Sequence, residues 1–183
     1  AVISNFDTVF VNAAYTGGLT FSDNILKNNQ RAIQHQSSTQ LVVDRCEFKY
    51  NTDIVVVISS GNLSLQNCYF HDNLSAGAHF LFSPAGTLVV NKCFFKNTRT
   101  LTTSASRGFF DLNVVANTVT ITESEFIGVG GESYGMFYQG SLGTVSVDDC
   151  NFYVDADDWV TRDCLNANFL ICLLYTSDAA DDR

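Results

Sequence analysis

The stretch LVVNKCFFKN, residues 88 to 97, places a cysteine between two short apolar groups, and its pattern recurs along most of the chain. The shared template is apolar-x-apolar-x-x-Cys-x-Phe, often followed by x-x-Asn. Recurrence of this kind predicts a solenoid, in which each repeat packs on its neighbours. The other copies are LVVDRCEFKYN from Leu41, LSLQNCYFHDN from Leu63, LTFSDNILKNN from Leu19, VTITESEFIG from Val119, VSVDDCNFYV from Val145 and a partial copy, VISNF, from Val2.

The repeat length is read from the cysteine position of the template. Its successive occupants lie 20, 22, 22, 25, 31 and 26 residues apart. Repeats of this size are typical of solenoids rather than sandwiches of unrelated strands. The occupants are Ser4, Asn24, Cys46, Cys68, Cys93, Ser124 and Cys150.

Each copy contains a break in its alternation. Leu41 and Val43 share one face of a strand, and Cys46 and Phe48 share a face of the next, but three positions separate Val43 from Cys46. The two residues between them are polar in every copy, which predicts an exposed corner after which Cys and Phe point inward. These pairs are Asp44-Arg45, Gln66-Asn67, Asn91-Lys92, Thr122-Glu123 and Asp148-Asp149.

A further β-rich run precedes most copies, so each repeat contains about three short strands. About 22 extended residues at about 3.3 Å each give a circuit of about 70 Å, enough for one three-sided coil. The runs are residues 31–35, 54–59, 79–83, 109–114 and 136–139.

These repeats resemble the right-handed parallel β-helix superfamily of pectate-lyase-like folds, and most closely repeats of the polymorphic outer-membrane-protein type. The Phe-x-x-Asn signature of those repeats occurs at residues 48–51, 70–73 and 94–97, and Ala32-Ile33 echoes their Gly-Gly-Ala-Ile signature. The likeness covers about residues 1–155. It implies an all-β, right-handed parallel β-helix solenoid of about six to seven coils of 20–31 residues.

Leucine-rich repeats are the competing interpretation, because their Leu-x-Leu-x-x-Asn/Cys-x-Leu core overlaps the template. The preceding Leu of that motif is missing in most copies, where Ser38, Ser60, Ala85 and Ala116 stand and only Leu142 fits. The return segments are also β-branched and aromatic rather than helix-forming. The β-helix is therefore the favoured fold.

Stacked coils place equivalent side chains about 4.8 Å apart, which predicts inward ladders of like residues. The expected ladders are Cys46, Cys68 and Cys93; Phe48, Phe70 and Phe95; and Asn51, Asn73 and Asn97. The cysteines are interpreted as small buried hydrophobes. Disulfides between coils satisfy the distance requirement but suit the dihedral angle poorly. A metal site is disfavoured, since no Cys-x-x-Cys occurs and no His stands at ligand spacing.

Composition supports a folded β domain and excludes some partners. The chain is 46% hydrophobic and 16% charged, with 15 Phe, 7 Tyr and one Pro. Its net charge of -9 disfavours nucleic acid and anionic membranes as partners.

The ends of the chain are interpreted separately from the repeats. The chain starts at Ala1 without a methionine, and residues 172–183 resemble the translation of a sequencing adapter. We therefore expect residues 1–171 to be a single β-helix fragment truncated at both ends. Residues 172–183 are then a non-native tail.

Candidate catalytic residues do not form a complete set. Asn51-Thr52-Asp53 matches one motif of polygalacturonases, but the Gly-His-Gly and Arg-Ile-Lys motifs of that family do not occur. Asp148-Asp149 lies about four coils from Asp53, too far for a glycosidase pair. Isolated histidines are expected to be ordinary strand or surface residues; they are His35, His71 and His79. No catalytic, cofactor-binding or metal residue is assigned.

Two weaker motifs concern calcium and glycosylation. The carboxylates of Asp155, Asp157 and Asp158 could bind calcium, although a solvated loop is the simpler interpretation. Sequons begin at Asn62 and Asn73, and Asn62 is the better acceptor because it precedes a strand.

The sequence favours a non-catalytic, extracellular or cell-surface structural or adhesion segment of a larger β-helix protein. Its expected partners are a carbohydrate or a cell-surface protein and the neighbouring coils of the longer chain, with no nucleic acid and with no membrane span within this fragment. One alternative is a carbohydrate-active β-helix enzyme, a polysaccharide lyase or hydrolase, whose catalytic coils lie elsewhere. This alternative rests on fold analogy. A second alternative is a leucine-rich-repeat-like binding module.

Overall fold

The chain forms a parallel β-solenoid. The computed structural model describes residues 1–12, 17–52, 56–58, 61–75, 80–82, 86–96, 99–100, 110–111, 118–127, 130–131, 137–138, 144–153 and 168–171. All regular secondary structure in these ranges is β-strand, and every strand pair is parallel. The predicted all-β solenoid is confirmed.

Three long sheets form the sides of the coils. Sheet 1 contains Val2–Ser4, Ile25–Lys27, Glu47–Lys49, Tyr69–His71, Phe94–Lys96, Glu125–Ile127 and Asn151–Tyr153. Sheet 2 contains Thr8–Asn12, Arg31–His35, Val56–Ile58, Phe80–Phe82, Phe110–Asp111 and Phe137–Tyr138. Sheet 3 contains Leu19–Ser22, Gln40–Asp44, Asn62–Gln66, Thr87–Asn91, Thr118–Thr122, Thr144–Asp148 and Asn168–Ile171.

The strand register stacks equivalent residues as predicted. Leu41 pairs with Leu63, and Leu63 pairs with Leu88, so the three leucines form one column. All three are buried, at 2% exposure or less. The residue between each pair of inward positions, such as Val42, is only partly buried and points to the other face.

The return segment decides between the two repeat folds. Val56–Ile58 pairs with Arg31–His35 and with Phe80–Phe82, so this side of the coil is a parallel sheet. A leucine-rich repeat would return through a helix or a 3₁₀ segment. The structure therefore favours the β-helix over the leucine-rich repeat.

Three features add to the strands predicted from the sequence. Thr8–Asn12 adds a strand to sheet 2 in the first coil. Asn168–Ile171 pairs with Thr144–Asp148, which places it as the sheet 3 strand of a further coil. A short fourth sheet contains Leu74–Ser75, Arg99–Thr100 and Gly130–Gly131. The proposed tail, residues 172–183, lies outside the described residues.

A stack of phenylalanine rings runs through the interior behind sheet 1. Phe48, Phe70, Phe95 and Phe126 are fully buried. Their centroids are 4.4, 4.9 and 4.6 Å apart along the stack, and interplanar angles are 10° or less. Phe152 continues the stack at 4.8 Å from Phe126. The predicted phenylalanine ladder is confirmed and is longer than expected.

An asparagine ladder lies at the turn that follows sheet 1. Asn51 and Asn73 are fully buried, as predicted, and the ladder also includes Asn29. The Asn29 backbone N–H donates to Asn51 Oδ1, and the Asn51 N–H donates to Asn73 Oδ1, both at 3.0 Å. Asn51 Nδ2 donates to Asn73 Oδ1 at 2.9 Å. Asn97 lies outside the described residues.

The polar corners between sheet 3 and sheet 1 adopt left-handed backbone geometry. The second residue of each pair has φ between 48° and 58°. This conformation costs a residue with a Cβ about 1–2 kcal/mol, so the repeating corner is under local strain. The left-handed residues are Asp23, Arg45, Asn67, Lys92, Glu123 and Asp149. The predicted corners are confirmed.

We expect the corner at Lys92 to accept glycine and to resist a β-branched residue. Lys92→Gly should change the free energy of unfolding by less than about 1 kcal/mol, because relief of strain offsets the flexibility of glycine. Lys92→Val should cost about 2 kcal/mol more than Lys92→Gly. Urea unfolding of both variants measures this difference. Equal stabilities would show that the corner conformation imposes no steric selection.

Candidate functional site

The outward side chains of sheet 1 bring acidic, basic and aromatic groups together. We call Glu47, Lys49, Tyr69, His71 and Phe94 the sheet 1 face. Tyr69 is in register with Glu47 on one side and with Phe94 on the other, while His71 is in register with Lys49. Residues 22 or 25 positions apart in the sequence are thereby placed side by side.

Short polar contacts join the side chains of the sheet 1 face. Lys49 Nζ and His71 Nε2 each lie 2.8 Å from Glu47 Oε1. His71 Nδ1 lies 2.8 Å from Asp72 Oδ2. The Lys49 hydrogen bond, followed by that of His71, lowers the pKa of Glu47, and Glu47 in turn raises the pKa of Lys49. Glu47 therefore remains ionised at neutral pH.

Aromatic rings lie beside these charges. The Tyr69 ring stacks on His71 with centroids 4.3 Å apart and an interplanar angle of 25°. Phe94 is tilted against Tyr69 at 5.2 Å, and Tyr50 meets His71 edge-on at 6.1 Å. Burial raises the pKa of Tyr69, so its phenol stays neutral. Tyr69 is thus supported by rings on two sides.

A corner groove of about 390 Å³ borders the sheet 1 face. Arg45 lies in it and donates to both carboxylate oxygens of Asp23, from Nε and Nη2 at 2.8 Å each. Its Nη1 also bonds Asp44. The pKa of Asp23 is lowered by the Arg45 hydrogen bonds. The groove is lined by Asp23, Asn24, Ile25, Arg45, Cys46, Glu47, Asn67 and Tyr69.

The carboxylates considered for catalysis do not meet in the described structure. Asn51 of the polygalacturonase-like motif is buried in the asparagine ladder, while Asp53 lies outside the described residues. Asp148 and Asp149 are exposed at the last corner. The candidate calcium ligands, Asp155, Asp157 and Asp158, also lie outside the described residues.

The histidines have different environments. His35 is fully buried in its strand, and its Nε2 lies 2.9 Å from the Thr39 carbonyl oxygen. His71 belongs to the sheet 1 face. His79 lies outside the described residues. His35 thus fits the predicted strand role, whereas the contacts of His71 with Glu47 and Asp72 were not foreseen.

The two sequons differ in accessibility. Asn73 is fully buried, and its Nδ2 donates to the Phe48 carbonyl at 2.9 Å, so the folded chain cannot carry a glycan there. Asn62 is exposed, and its Oδ1 accepts a bond from the Thr87 N–H at 2.8 Å. The geometry keeps Asn62 as the better acceptor.

The cysteine position has a specific role at the corner. Cys46, Cys68, Cys93 and Cys150 are buried free thiols, and each donates to the carbonyl two residues earlier at 3.2–3.4 Å. Ser124 Oγ makes the same bond at 2.8 Å. This position therefore requires a small hydrogen-bond donor, which explains why serine and asparagine replace cysteine in other copies. The expected column of Cys46, Cys68 and Cys93 is confirmed. The assignment of Ser4 to the same position is wrong, because Val2–Ser4 pairs with Ile25–Lys27 and Ser4 therefore stands opposite Lys27 rather than Asn24.

We expect these thiols to resist alkylation in the folded chain. Burial raises the pKa of Cys46 to about 11 and also raises that of Cys150. The neighbouring Cys93 thiol and burial raise the pKa of Cys68. Iodoacetamide at pH 8, followed by peptide mass spectrometry, should leave the described thiols unmodified until urea is added. Labelling of Cys68 at the same rate with and without urea would contradict a buried column.

The site residues that were not predicted from the sequence occupy fixed positions of the repeat. Glu47, Tyr69 and Phe94 each follow the cysteine position directly, so aligning the repeats places them in one outward row. Asn29 stands three residues after Leu26, the same spacing that joins Phe48 to Asn51. Both relations are visible once the register of the copies is accepted.

Within the described ranges, no group of three or more His, Cys, Asp or Glu side chains is placed to hold a metal ion. The same residues include no helix with the length and apolar character needed to cross a membrane.

Comparison with known proteins gives a family match. The family model described as a right handed beta helix region matches residues 7–157. Searches of curated proteins and of solved structures found no significant match. The matched range includes every residue of the sheet 1 face and the corner groove.

Proposed function

This chain belongs to the right-handed β-helix family, and from that premise we propose that it is a structural and adhesive repeat segment of a larger extracellular or cell-surface protein. The observation that carries the proposal is that the inward and outward surfaces of the coils have different chemistry. The inward side chains join coil to coil, while the sheet 1 face presents supported aromatic rings to solvent. The Phe-x-x-Asn copies support a relationship with polymorphic outer-membrane-protein-type repeats.

The inward surface supports a structural role. Buried Phe, Cys and Asn columns connect each coil to the next, and the asparagine ladder satisfies backbone N–H and carbonyl groups of adjacent coils. In a solenoid, stability comes from such nearest-neighbour interfaces. A stack of this kind makes a stiff spacer that can hold an adhesive surface away from its attachment point.

The outward surface supports adhesion to a carbohydrate. Tyr69 and Phe94 are partly exposed rings on a rigid sheet, and Tyr50 is 52% exposed beside them. Rings bordered by hydrogen-bonding groups suit the mixed apolar and hydroxyl surface of a sugar. We therefore propose a carbohydrate, rather than a protein, as the partner of this face.

The electrostatics of the sheet 1 face argue against glycoside hydrolysis there. A glycosidase needs a carboxylic acid whose pKa is raised so that it can protonate the leaving group. Lys49 and His71 instead lower the pKa of Glu47. The Glu47 carboxylate beside these rings is thus set up to accept hydrogen bonds and to stay charged.

Adhesion under flow tests this proposal. Beads carrying the full chain should be retained on polysaccharide-coated surfaces, and the double variant Tyr69→Ala, Phe94→Ala should release them. Asn151→Ala, on an exposed position of the same sheet, is the control and should be retained like the parent. Equal retention of all three proteins, or none above bare beads, would overturn the adhesive role.

A parallel incubation tests the catalytic alternative. The same preparation, with and without calcium, should release no new reducing ends and no unsaturated products from pectin-like polymers. Product release that disappears in Glu47→Gln would replace the adhesive assignment with a catalytic one.

A further inference from the structure

We propose that the corner groove binds a neutral glycan, with Tyr69 as the stacking platform and with Glu47 and Asn67 as acceptors for sugar hydroxyls. This inference rests on the proposed adhesive function and names the class of its ligand. The proposed ligand is an uncharged sugar chain, and we expect acidic polysaccharides to bind with lower affinity.

The size and position of the groove fit this ligand. Its volume of about 390 Å³ falls in the lower part of the range of small-molecule sites, which is about 300–1,000 Å³. It lies where sheet 3 turns into sheet 1, and Tyr69 is shared between the groove and the sheet 1 face. A glycan lying across the outward row therefore reaches the groove without leaving the surface.

Tyr69 is held as a fixed platform. Its backbone N–H donates to the Cys46 carbonyl at 2.9 Å, and its ring contacts His71 at 4.3 Å and Phe94 at 5.2 Å. A ring that is already immobilised loses little conformational freedom when a ligand stacks on it. The platform is preorganised for the apolar face of a hexose.

The cations bordering the groove are already committed to carboxylates. Arg45 makes two 2.8 Å bonds to Asp23 and a further bond to Asp44, and Lys49 lies 2.8 Å from Glu47. A uronate would have to displace one of these carboxylates to gain a cation. The Asp23 and Glu47 carboxylates would also repel it, because like charges in a cleft disfavour binding. The charge arrangement therefore selects an uncharged sugar.

Acceptor atoms remain for sugar hydroxyls. Lys49 and His71 both bond to Glu47 at Oε1. Neither of these bonds uses Oε2, which is therefore the acceptor proposed for a sugar hydroxyl. The Asn67 side chain donates through Nδ2 to Asp44 Oδ1 at 2.8 Å, and this bond orients the amide. The Oδ1 atom of Asn67 is then the acceptor proposed for a sugar hydroxyl. Hydroxyl groups donate readily to both kinds of oxygen.

Calorimetric titration of the full chain tests the inference. The probes are cellohexaose and mannohexaose as neutral glycans and hexagalacturonate as the acidic glycan. We expect at least one neutral hexasaccharide to bind, and hexagalacturonate to bind at least about tenfold more weakly. Tighter binding of hexagalacturonate, or no binding of either neutral probe, would overturn the proposal.

Variants locate the binding at the groove. Tyr69→Ala and Glu47→Gln should each weaken neutral-glycan binding by about tenfold, and Tyr69→Phe should retain it. Tyr153→Ala, at a 46% exposed tyrosine on the same sheet, is the control and should bind like the parent. Thermal unfolding checks that each variant is folded, and binding unaffected by Tyr69→Ala would refute the groove as the site.

The outcomes separate this inference from the proposed function. If bead retention depends on Tyr69 and Phe94 while no neutral hexasaccharide binds, the adhesive function stands and the neutral-glycan assignment fails. If neutral glycans bind at Tyr69 while retention is unchanged in the double variant, the groove is a glycan site and the adhesive function fails.

Discussion

Replacing Phe70 with alanine is expected to lower the free energy of unfolding by about 3–5 kcal/mol. Phe70 is fully buried and stacks on Phe48 at 4.4 Å and on Phe95 at 4.9 Å. The variant loses the transfer free energy of the ring and leaves a cavity between two coils. Because the neighbouring rings belong to rigid strands, the cavity cannot close fully. Urea unfolding followed by circular dichroism measures the effect.

Phe70→Leu is the matched variant for this position. Leu26 occupies the same column two coils earlier, so a leucine side chain is compatible with the geometry of the stack. We expect Phe70→Leu to cost about 1–2 kcal/mol, clearly less than Phe70→Ala. A loss below about 1 kcal/mol for Phe70→Ala would mean that the phenylalanine column is not a main source of stability.

Replacing Asn51 with alanine should also cost about 3–5 kcal/mol, although by a different mechanism. Asn51 Oδ1 accepts from the Asn29 N–H, and its Nδ2 donates to the Leu26 carbonyl at 3.1 Å and to Asn73 Oδ1 at 2.9 Å. Alanine leaves these groups without their side-chain partner. Each unsatisfied buried group costs about 1–3 kcal/mol, and water does not reach the ladder easily.

Asn151→Ala is the control for the amide substitution. This asparagine lies on sheet 1, but its side chain is exposed, so its loss should change stability by less than about 0.5 kcal/mol. Urea midpoints and slopes for both variants give the comparison. If the two asparagines proved equally dispensable, the buried amide ladder would contribute nothing beyond a surface amide.

The repeat pattern predicted the interior well, because burial of one face imposes a strict periodicity. Cys46 and Phe48 could be placed inward from the three-residue step after Val43 alone, and the polar corner at Asp44-Arg45 followed from the same step. The left-handed backbone at Arg45 could not be anticipated, since arginine carries no sequence preference for that conformation.

The outward site was less accessible to sequence reasoning. Alignment of the copies places Glu47, Tyr69 and Phe94 in a row, but it does not say which rotamers bring His71 Nε2 to Glu47 Oε1. Those contacts depend on side-chain geometry between residues 24 positions apart. The thiol bonds at the corner were missed for another reason, because cysteine was interpreted only as a small apolar residue.

The strand register has a consequence for how such a chain can change over generations. Val43 pairs with Leu65, 22 positions later, and Val90 pairs with Ile121, 31 positions later, yet both pairs keep the same alignment. Insertions and deletions between strands are therefore compatible with an unaltered interior. Surface segments can therefore lengthen or shorten, and whole coils can be duplicated, as long as the short strand sequences that face inward are kept.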